Sequence, residues 1–168
     1  MGSTNAVVAL AGGKLSKVVH AMCDGLLEAA DRDDFRVDMN TYGDTDNFDA
    51  PEFETCYGCA ATCALMKVTG VRLTSQTITG HSNHAAAVGL PATDVADFER
   101  AVDAFRNGDD VDNPWSPFWN LAVLCGTPRG VVTAAVDCSV SWSLDTDNWR
   151  EQLPILRKFA NYLAERGY

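Results

Sequence analysis

The stretch Cys56-Tyr-Gly-Cys59-Ala-Ala-Thr-Cys63 decides how the middle of this chain folds. Its cysteines are spaced by three and four residues, and Met66 follows three residues later, so the four side chains share one face of a predicted α-helix. Reduced cysteine packs like a small apolar residue, and the intervening alanines allow a partner element to approach closely. The simplest interpretation is a buried helical face lined with sulfur-containing side chains.

Other segments of the chain have the same helical periodicity. Apolar residues recur at steps of three and four, and capping or terminating residues mark where several segments begin or end. The pattern predicts about five helices: one from Leu15 to near Asp31, one from near Thr55 to the residue before Gly70, one from the N-cap Thr93 to Gly108, a short one over 118–125 capped by Ser116, and a C-terminal one that begins or kinks near Pro154.

Two further segments alternate apolar and polar residues with a period of two, which is typical of half-buried strands. We expect them to pair as a small antiparallel sheet or hairpin covered by helices, because a lone hairpin is only marginally stable. The fold class is therefore α+β, predominantly α-helical, in a single domain over residues 1–168, with residues 1–13 as a candidate flexible N-terminus. The apolar members of the two segments are Phe35, Val37 and Met39, and Val136, Cys138, Val140, Trp142 and Leu144.

Composition narrows the classes of partner. The chain has 168 residues, 46% of them hydrophobic, and a formal net charge of -10. Such a surface repels nucleic acids and anionic membranes and suits a basic partner, but simple solvation of the surface is the more common reason for such acidity. No apolar run approaches the roughly 20 residues of a membrane span, and the run 6–11 lacks the basic region that precedes a signal peptide. We expect a cytoplasmic protein whose six cysteines are thiols.

The cysteine stretch also admits a metal or redox interpretation. Cys56 and Cys59 have the two-residue gap of many zinc sites, and His81 and His84 offer imidazole ligands downstream. Zinc or an iron–sulfur cluster would require Cys56 to lie outside the helix, because cysteines on successive turns of a regular helix are too far apart to bind one ion. The candidate ligands are thus Cys56, Cys59, Cys63, His81 and His84. A buried apolar face is the leading interpretation, and it requires no cofactor.

A nucleophilic interpretation uses the same residues. A thiol of Cys56 or Cys59 in the first turn of a helix would have a lowered pKa, and His81 or His84 would act as its base. The local pattern of papain-like enzymes is absent from the sequence. A cysteine-dependent hydrolase or transferase therefore stays open as an alternative, and no residue is assigned as catalytic.

Aromatic residues form a second cluster in the sequence. Trp115, Phe118 and Trp119 lie beside Pro114 and Pro117. Such a cluster either makes an aromatic contact patch or caps the core, and capping is the more common role.

Three segments of this chain resemble a loose group of small bacterial, cyanobacterial and phage proteins. The segments are Leu26-Leu-Glu28, then Phe35-Arg-Val-Asp-Met39-Asn-Thr-Tyr-Gly43, and then Cys59-Ala-Ala-Thr-Cys63 with Gly70 after it. In that group a helix precedes a Phe-x-Met segment ending in an aromatic residue and Gly, and the next helix opens on a Cys-rich turn of small residues. This chain departs from the group in having three cysteines and two alanines where many members have Cys-Gly-Thr and a single later cysteine.

The resemblance covers roughly residues 15–80 and implies no activity. It implies instead that Phe35, Met39, Cys59 and Cys63 are packing positions where the segment meets the helix. The leading hypothesis is consequently a non-catalytic domain that binds another protein or associates with itself. The alternatives are a metal-binding or thiol-redox protein and a cysteine-dependent hydrolase or transferase.

Overall fold

Helices make up most of the computed structural model, which describes residues 4–42, 44–45, 55–78 and 80–168. The α-helices in these residues are α1 (Ala6–Leu10), α2 (Leu15–Ala30), α3 (Ala60–Thr69), α4 (Gly80–Val88), α5 (Ala92–Phe105), α6 (Asn120–Leu124), α7 (Arg129–Ser139) and α8 (Trp149–Glu165). The same residues contain two 3₁₀ helices, Gly108–Asp112 and Pro117–Trp119, and the strands β1 (Phe35–Val37), β2 (Asp44–Thr45) and β3 (Cys56–Gly58).

The predicted fold class needs two corrections, although the protein is α+β and mostly helical. The described residues contain eight α-helices rather than about five, because the five-residue α1, the alanine-rich α4 and the misread α7 gave no clear helical signal. The sheet is also not the predicted antiparallel hairpin. β1 pairs with β3 in parallel, with Phe35 opposite Cys56, and the two-residue β2 adds to the other edge of β3 in antiparallel.

The strand predicted over residues 136–144 is wrong. Its first part belongs to α7, whose buried residues have the spacing of a helical face: Val132, Ala135, Val136 and Ser139. The helix ends at Ser139, and its C-cap residue Val140 has a φ of 71°. Beyond it Trp142 is buried, and Ser143 forms an isolated antiparallel bridge with Asn107. The period-two pattern therefore arose by chance from the end of a helix and the extended segment after it.

Several predicted helix boundaries also differ from the structure. The helix predicted from the N-cap Thr93 to Gly108 is α5, which runs from Ala92 to Phe105 with Pro91 as its N-cap residue. α3 begins at Ala60 rather than near Thr55, and Cys59 is its N-cap residue. α8 begins at Trp149, so Pro154 lies inside the helix instead of at its start. Burial of a long apolar stripe on α8 outweighs the one backbone hydrogen bond that the proline cannot donate.

Helices α2 and α5 organise the core. α2 packs against α3 and α8, and α5 packs against α1, α3, α4 and α6. Gly25 permits the close approach of α2 to α3, because a Cβ atom at that position would lie 2.3 Å from the carbonyl oxygen of Cys63. The resulting contact places the first turns of α3 in the centre of the molecule.

The N-terminal segment forms α1 where the structure describes it, and the candidate flexibility of residues 1–13 stays a prediction. Asn5 caps α1 by accepting hydrogen bonds from the amides of Val7 and Val8, and its own side-chain amide donates to the carbonyl of Asp94 at 2.8 Å. Val7 and Val8 are fully buried. The segment is thus anchored to the start of α5 by both polar and apolar contacts.

Candidate functional site

The three clustered cysteines lie in the core. Cys56 is in β3, Cys59 caps α3 and Cys63 lies in the first turns of α3, and all three are buried. The predicted single helical face is therefore correct for Cys59 and Cys63 but wrong for Cys56, which comes from a strand. Phe35 and Met39 are buried as well, so all four positions named by the family resemblance are packing positions.

The electrostatic environment of these thiols disfavours nucleophilic chemistry. Burial, together with a smaller effect of the nearby carboxylate of Asp103, raises the pKa of the Cys59 thiol to about 11. Burial also raises the pKa of Cys63 well above its usual value. Both side chains are consequently protonated at neutral pH, whereas an activated cysteine is a thiolate. All six cysteines are free of disulfides, as the sequence predicts.

A metal site does not form from the described part of the chain. No group of three or more His, Cys, Asp and Glu side chains in that part is arranged to hold an ion. His81 and His84, the imidazoles predicted as ligands or as a base, instead face a carboxylate of α5.

That carboxylate is Glu99, and we call Glu99, His84, His81 and Tyr42 the Glu99 cluster. The Nδ1 atom of His84 lies 2.9 Å from Oε1 of Glu99, and both side chains are fully buried. The Nδ1 atom of His81 lies 3.4 Å from Oε2 of the same carboxylate. The ring of Tyr42 covers His81 at a centroid separation of 4.6 Å. One buried acid thus joins α4 to α5 through a hydrogen bond with His84, while His81 lies close to the other carboxylate oxygen without hydrogen-bonding to it.

The Glu99 cluster leaves buried polar atoms without hydrogen-bond partners in the residues that the structure describes. Nδ1 of His84 donates to the carboxylate, which leaves Nε2 of the same ring buried and without a hydrogen-bond partner in the residues that the structure describes. Burial, followed by the negative charge of Asp103, raises the pKa of the Tyr42 hydroxyl, so this phenol stays protonated. The cluster therefore combines an acid, two imidazoles and a phenol around one buried contact between helices.

Sequence reasoning found the two histidines but missed Glu99. A signal for Glu99 exists, because it occupies a core position on the buried face of α5: the face reads Val95, Phe98, Glu99 and Val102. A charged residue on such a face is rarely left without a partner. Two histidines a short distance upstream are the natural candidates for that partner.

A surface cavity of about 290 Å³ between α2 and α3 is a separate candidate site. Its three cationic side chains already have partners. Lys67 pairs with Glu28 at 2.5 Å, while Arg72 and Arg32 each pair with Asp34 at 3.0 Å. The cavity therefore has no free positive charge with which to bind an anionic ligand.

The most exposed large apolar side chain among the described residues is Trp115, with 91% of its surface open to solvent. The three aromatic residues of this cluster have different environments. Phe118 and Trp119 cap the core, while Trp115 is exposed to solvent. Since capping was the more common role for such residues, the sequence did not single out Trp115.

The backbone around Trp115 is held on both sides. Its amide donates to Oδ1 of Asn113 at 3.0 Å, and the indole of Trp119 donates to the carbonyl of Asn113 at 3.0 Å. Arg129 donates to the carbonyl of Pro114 at 2.8 Å and lies over the ring of Trp119. An ordered turn thus presents an exposed indole.

In the described ranges, no single helix is long and apolar enough to cross a membrane, and only the bent pair Pro117–Leu124 and Arg129–Ser139 passes that test when taken together.

Comparison with known proteins finds no matching family model, no similar curated protein and no similar solved structure.

Proposed function

We propose that this protein is a protein-binding domain and that its partner docks on Trp115. The observation that carries the proposal is the 91% exposure of this side chain. Tryptophan is the residue type most enriched among the side chains that dominate binding energy at protein interfaces. Leaving an indole in water gains nothing for folding, whereas a partner that covers it buries a large apolar side chain.

The rigidity of the turn supports the same function. The hydrogen bonds to Asn113 fix the backbone on either side of Trp115, and an indole has only two rotatable bonds. Little conformational entropy is therefore lost when a partner covers the ring. A preorganised aromatic anchor of this kind increases affinity without a large interface.

The cysteines favour this proposal over its alternatives. A cysteine-dependent hydrolase or transferase needs an accessible thiolate, whereas Cys59 and Cys63 are buried and protonated at neutral pH. A redox pair needs access to a second thiol, and Cys56 and Cys59 are equally buried. Binding through the surface requires neither an accessible thiolate nor an accessible pair of thiols.

The test compares Trp115→Ala with Leu10→Ala, a matched control at a second exposed apolar residue. Each protein is immobilised, the proteins that it retains from lysate of the source cells are quantified by mass spectrometry, and the affinity of the main retained protein is then measured with purified components. Loss of a central tryptophan typically costs about 2 kcal/mol or more, which is roughly a 30-fold weaker Kd. Leu10→Ala should bind like the wild type.

Sedimentation velocity over a range of concentrations tests whether the partner is a second copy of this chain. A dimer that disappears in Trp115→Ala would identify a second copy as the partner. The proposal fails if both variants retain the same proteins with the same affinity and the wild type stays monomeric.

A further inference from the structure

We infer that the partner presents a basic, arginine-containing segment to the Trp115 face, which we define as Trp115 together with Asp109, Asp110 and Asp112. This inference rests on the proposed function. The three aspartates are exposed and belong to the 3₁₀ helix Gly108–Asp112, which packs against the 3₁₀ helix that follows Trp115. None of the three is in an ion pair within the described part of the chain.

The indole of Trp115 is free to stack on a cation. An arginine guanidinium lies over Trp119 at 5.0 Å and over Trp149 at 4.6 Å, while Trp142 is buried among aromatic rings. In the described residues no such guanidinium covers Trp115, although its ring is the most exposed of the four. An external arginine would supply the contact that two of the other tryptophans obtain within the chain.

The carboxylates of the neighbouring 3₁₀ helix indicate the charge of the partner. Three unpaired aspartates within six residues of an exposed indole attract a segment with more than one positive charge. Arg129, which contacts this turn, forms no ion pair with them in the described residues; it lies over Trp119 and donates to the carbonyl of Pro114. The net charge of -10 steers a basic partner toward the protein from a distance.

The same charge argues against a second copy of this chain as the occupant. In a two-fold symmetric dimer each surface patch meets itself, so the three aspartates of one copy would face the three of the other. Like charges placed opposite one another oppose association. A basic segment can both stack a cation on the ring of Trp115 and pair with the carboxylates.

The probe is an acetylated and amidated peptide of alternating Arg and Gly, with the matching Glu and Gly peptide as control. Binding is followed by the fluorescence anisotropy of a dye attached to the peptide, a readout that does not depend on any tryptophan of the protein and so applies equally to Trp115→Ala. The Arg peptide should bind and the Glu peptide should not, and a Lys peptide should bind more weakly because its ammonium stacks less well. Affinity should fall as ionic strength rises from about 0.01 M to about 0.15 M.

Two variants separate the contributions of ring and charge. Trp115→Ala and the triple variant Asp109→Asn/Asp110→Asn/Asp112→Asn should each weaken binding of the Arg peptide by about tenfold or more. The inference is overturned if the Arg peptide shows no saturable binding at low ionic strength, if the Glu peptide binds equally well, or if the triple variant binds like the wild type.

The outcome for the natural partner distinguishes this inference from the proposed function. If Trp115→Ala loses that partner while the triple Asn variant keeps its full affinity, the docking function stands and the basic segment is rejected. If Trp115→Ala keeps the partner, both fail.

Discussion

Replacing Glu99 with glutamine tests how α4 is held in the molecule. Among the described side chains of α4, only His84 and Ala85 are buried, so the helix has little apolar surface with which to pack on α5. Its attachment depends on the 2.9 Å contact between His84 and Glu99 and the longer one from His81. Glutamine keeps the shape of the side chain and removes only its charge.

The expected loss of stability is about 1 to 2 kcal/mol. A hydrogen bond to a charged group contributes about 1.5 to 3 kcal/mol, whereas a neutral one contributes about 0.5 to 1.5. Glutamine retains the second kind of bond to His84 and gives up the difference. Glu99→Ala should cost about 3 to 5 kcal/mol, because it also leaves the buried imidazole without a partner and opens a cavity.

Urea unfolding measures the effect, and amide hydrogen exchange shows where it acts. Both variants should lower the unfolding midpoint without changing its slope, and exchange should accelerate first in α4. Glu165→Gln, the same change at an exposed position on α8, should stay within about 0.5 kcal/mol of the wild type. A Glu99→Gln protein as stable as the wild type, or unchanged exchange in α4, would refute the idea that the Glu99 cluster anchors this helix.

Three other predictions concern single sites. Val140→Gly should stabilise the protein by about 1 kcal/mol in urea, because Val140 is 67% exposed and its φ of 71° suits glycine; a loss of stability would contradict this strain. Native thiol labelling should modify one cysteine quickly, and Cys138→Ser should abolish this phase, since Cys138 is the one exposed thiol. The hydrogen bond from Arg32 lowers the pKa of Asp34, so Asp34 stabilises the fold above the pKa of its unfolded state. The stability gap between wild type and Asp34→Asn should therefore shrink as the pH falls below about 4, and a constant gap would be inconsistent with the ion pair.

Helical periodicity predicted the helices that bury a long apolar stripe. α2 and α5 lie within a residue or two of their expected starts, because each buries residues at steps of three and four. The same rule failed for residues 136–144, where the last turn of α7 and an extended segment together imitate a strand. Only tertiary contacts, such as the bridge between Asn107 and Ser143, distinguish a true strand from this combination of a helix end and an extended segment.

The burial of the cysteine stretch was predictable from the sequence, but its secondary structure was not. Its small apolar residues correctly indicated burial, since burial depends on composition and local spacing. The change from β3 to α3 at Cys59 was not predictable, because the parallel pairing of Cys56 with Phe35 joins residues far apart in sequence. Local sequence patterns do not show which distant residue a strand pairs with.

The candidate sites were the least predictable part. Glu99 was detectable as an acid on an apolar helix face, but its contact with His84 depends on how α4 packs on α5. Trp115 could not be separated from Phe118 and Trp119 by sequence, because exposure is decided by the turn that Asn113 stabilises. Side-chain environment therefore became visible only in the folded chain.

The most direct test of docking at Trp115 replaces this residue with the photo-reactive amino acid p-benzoylphenylalanine, which keeps an aromatic ring at the site. After irradiation in cells, we expect a covalent adduct with a protein whose cross-linked segment is rich in arginine or lysine, and competition by the Arg peptide. The same probe at Leu10 should yield no such adduct. Equal cross-linking at the two positions, or none at Trp115, would contradict the account.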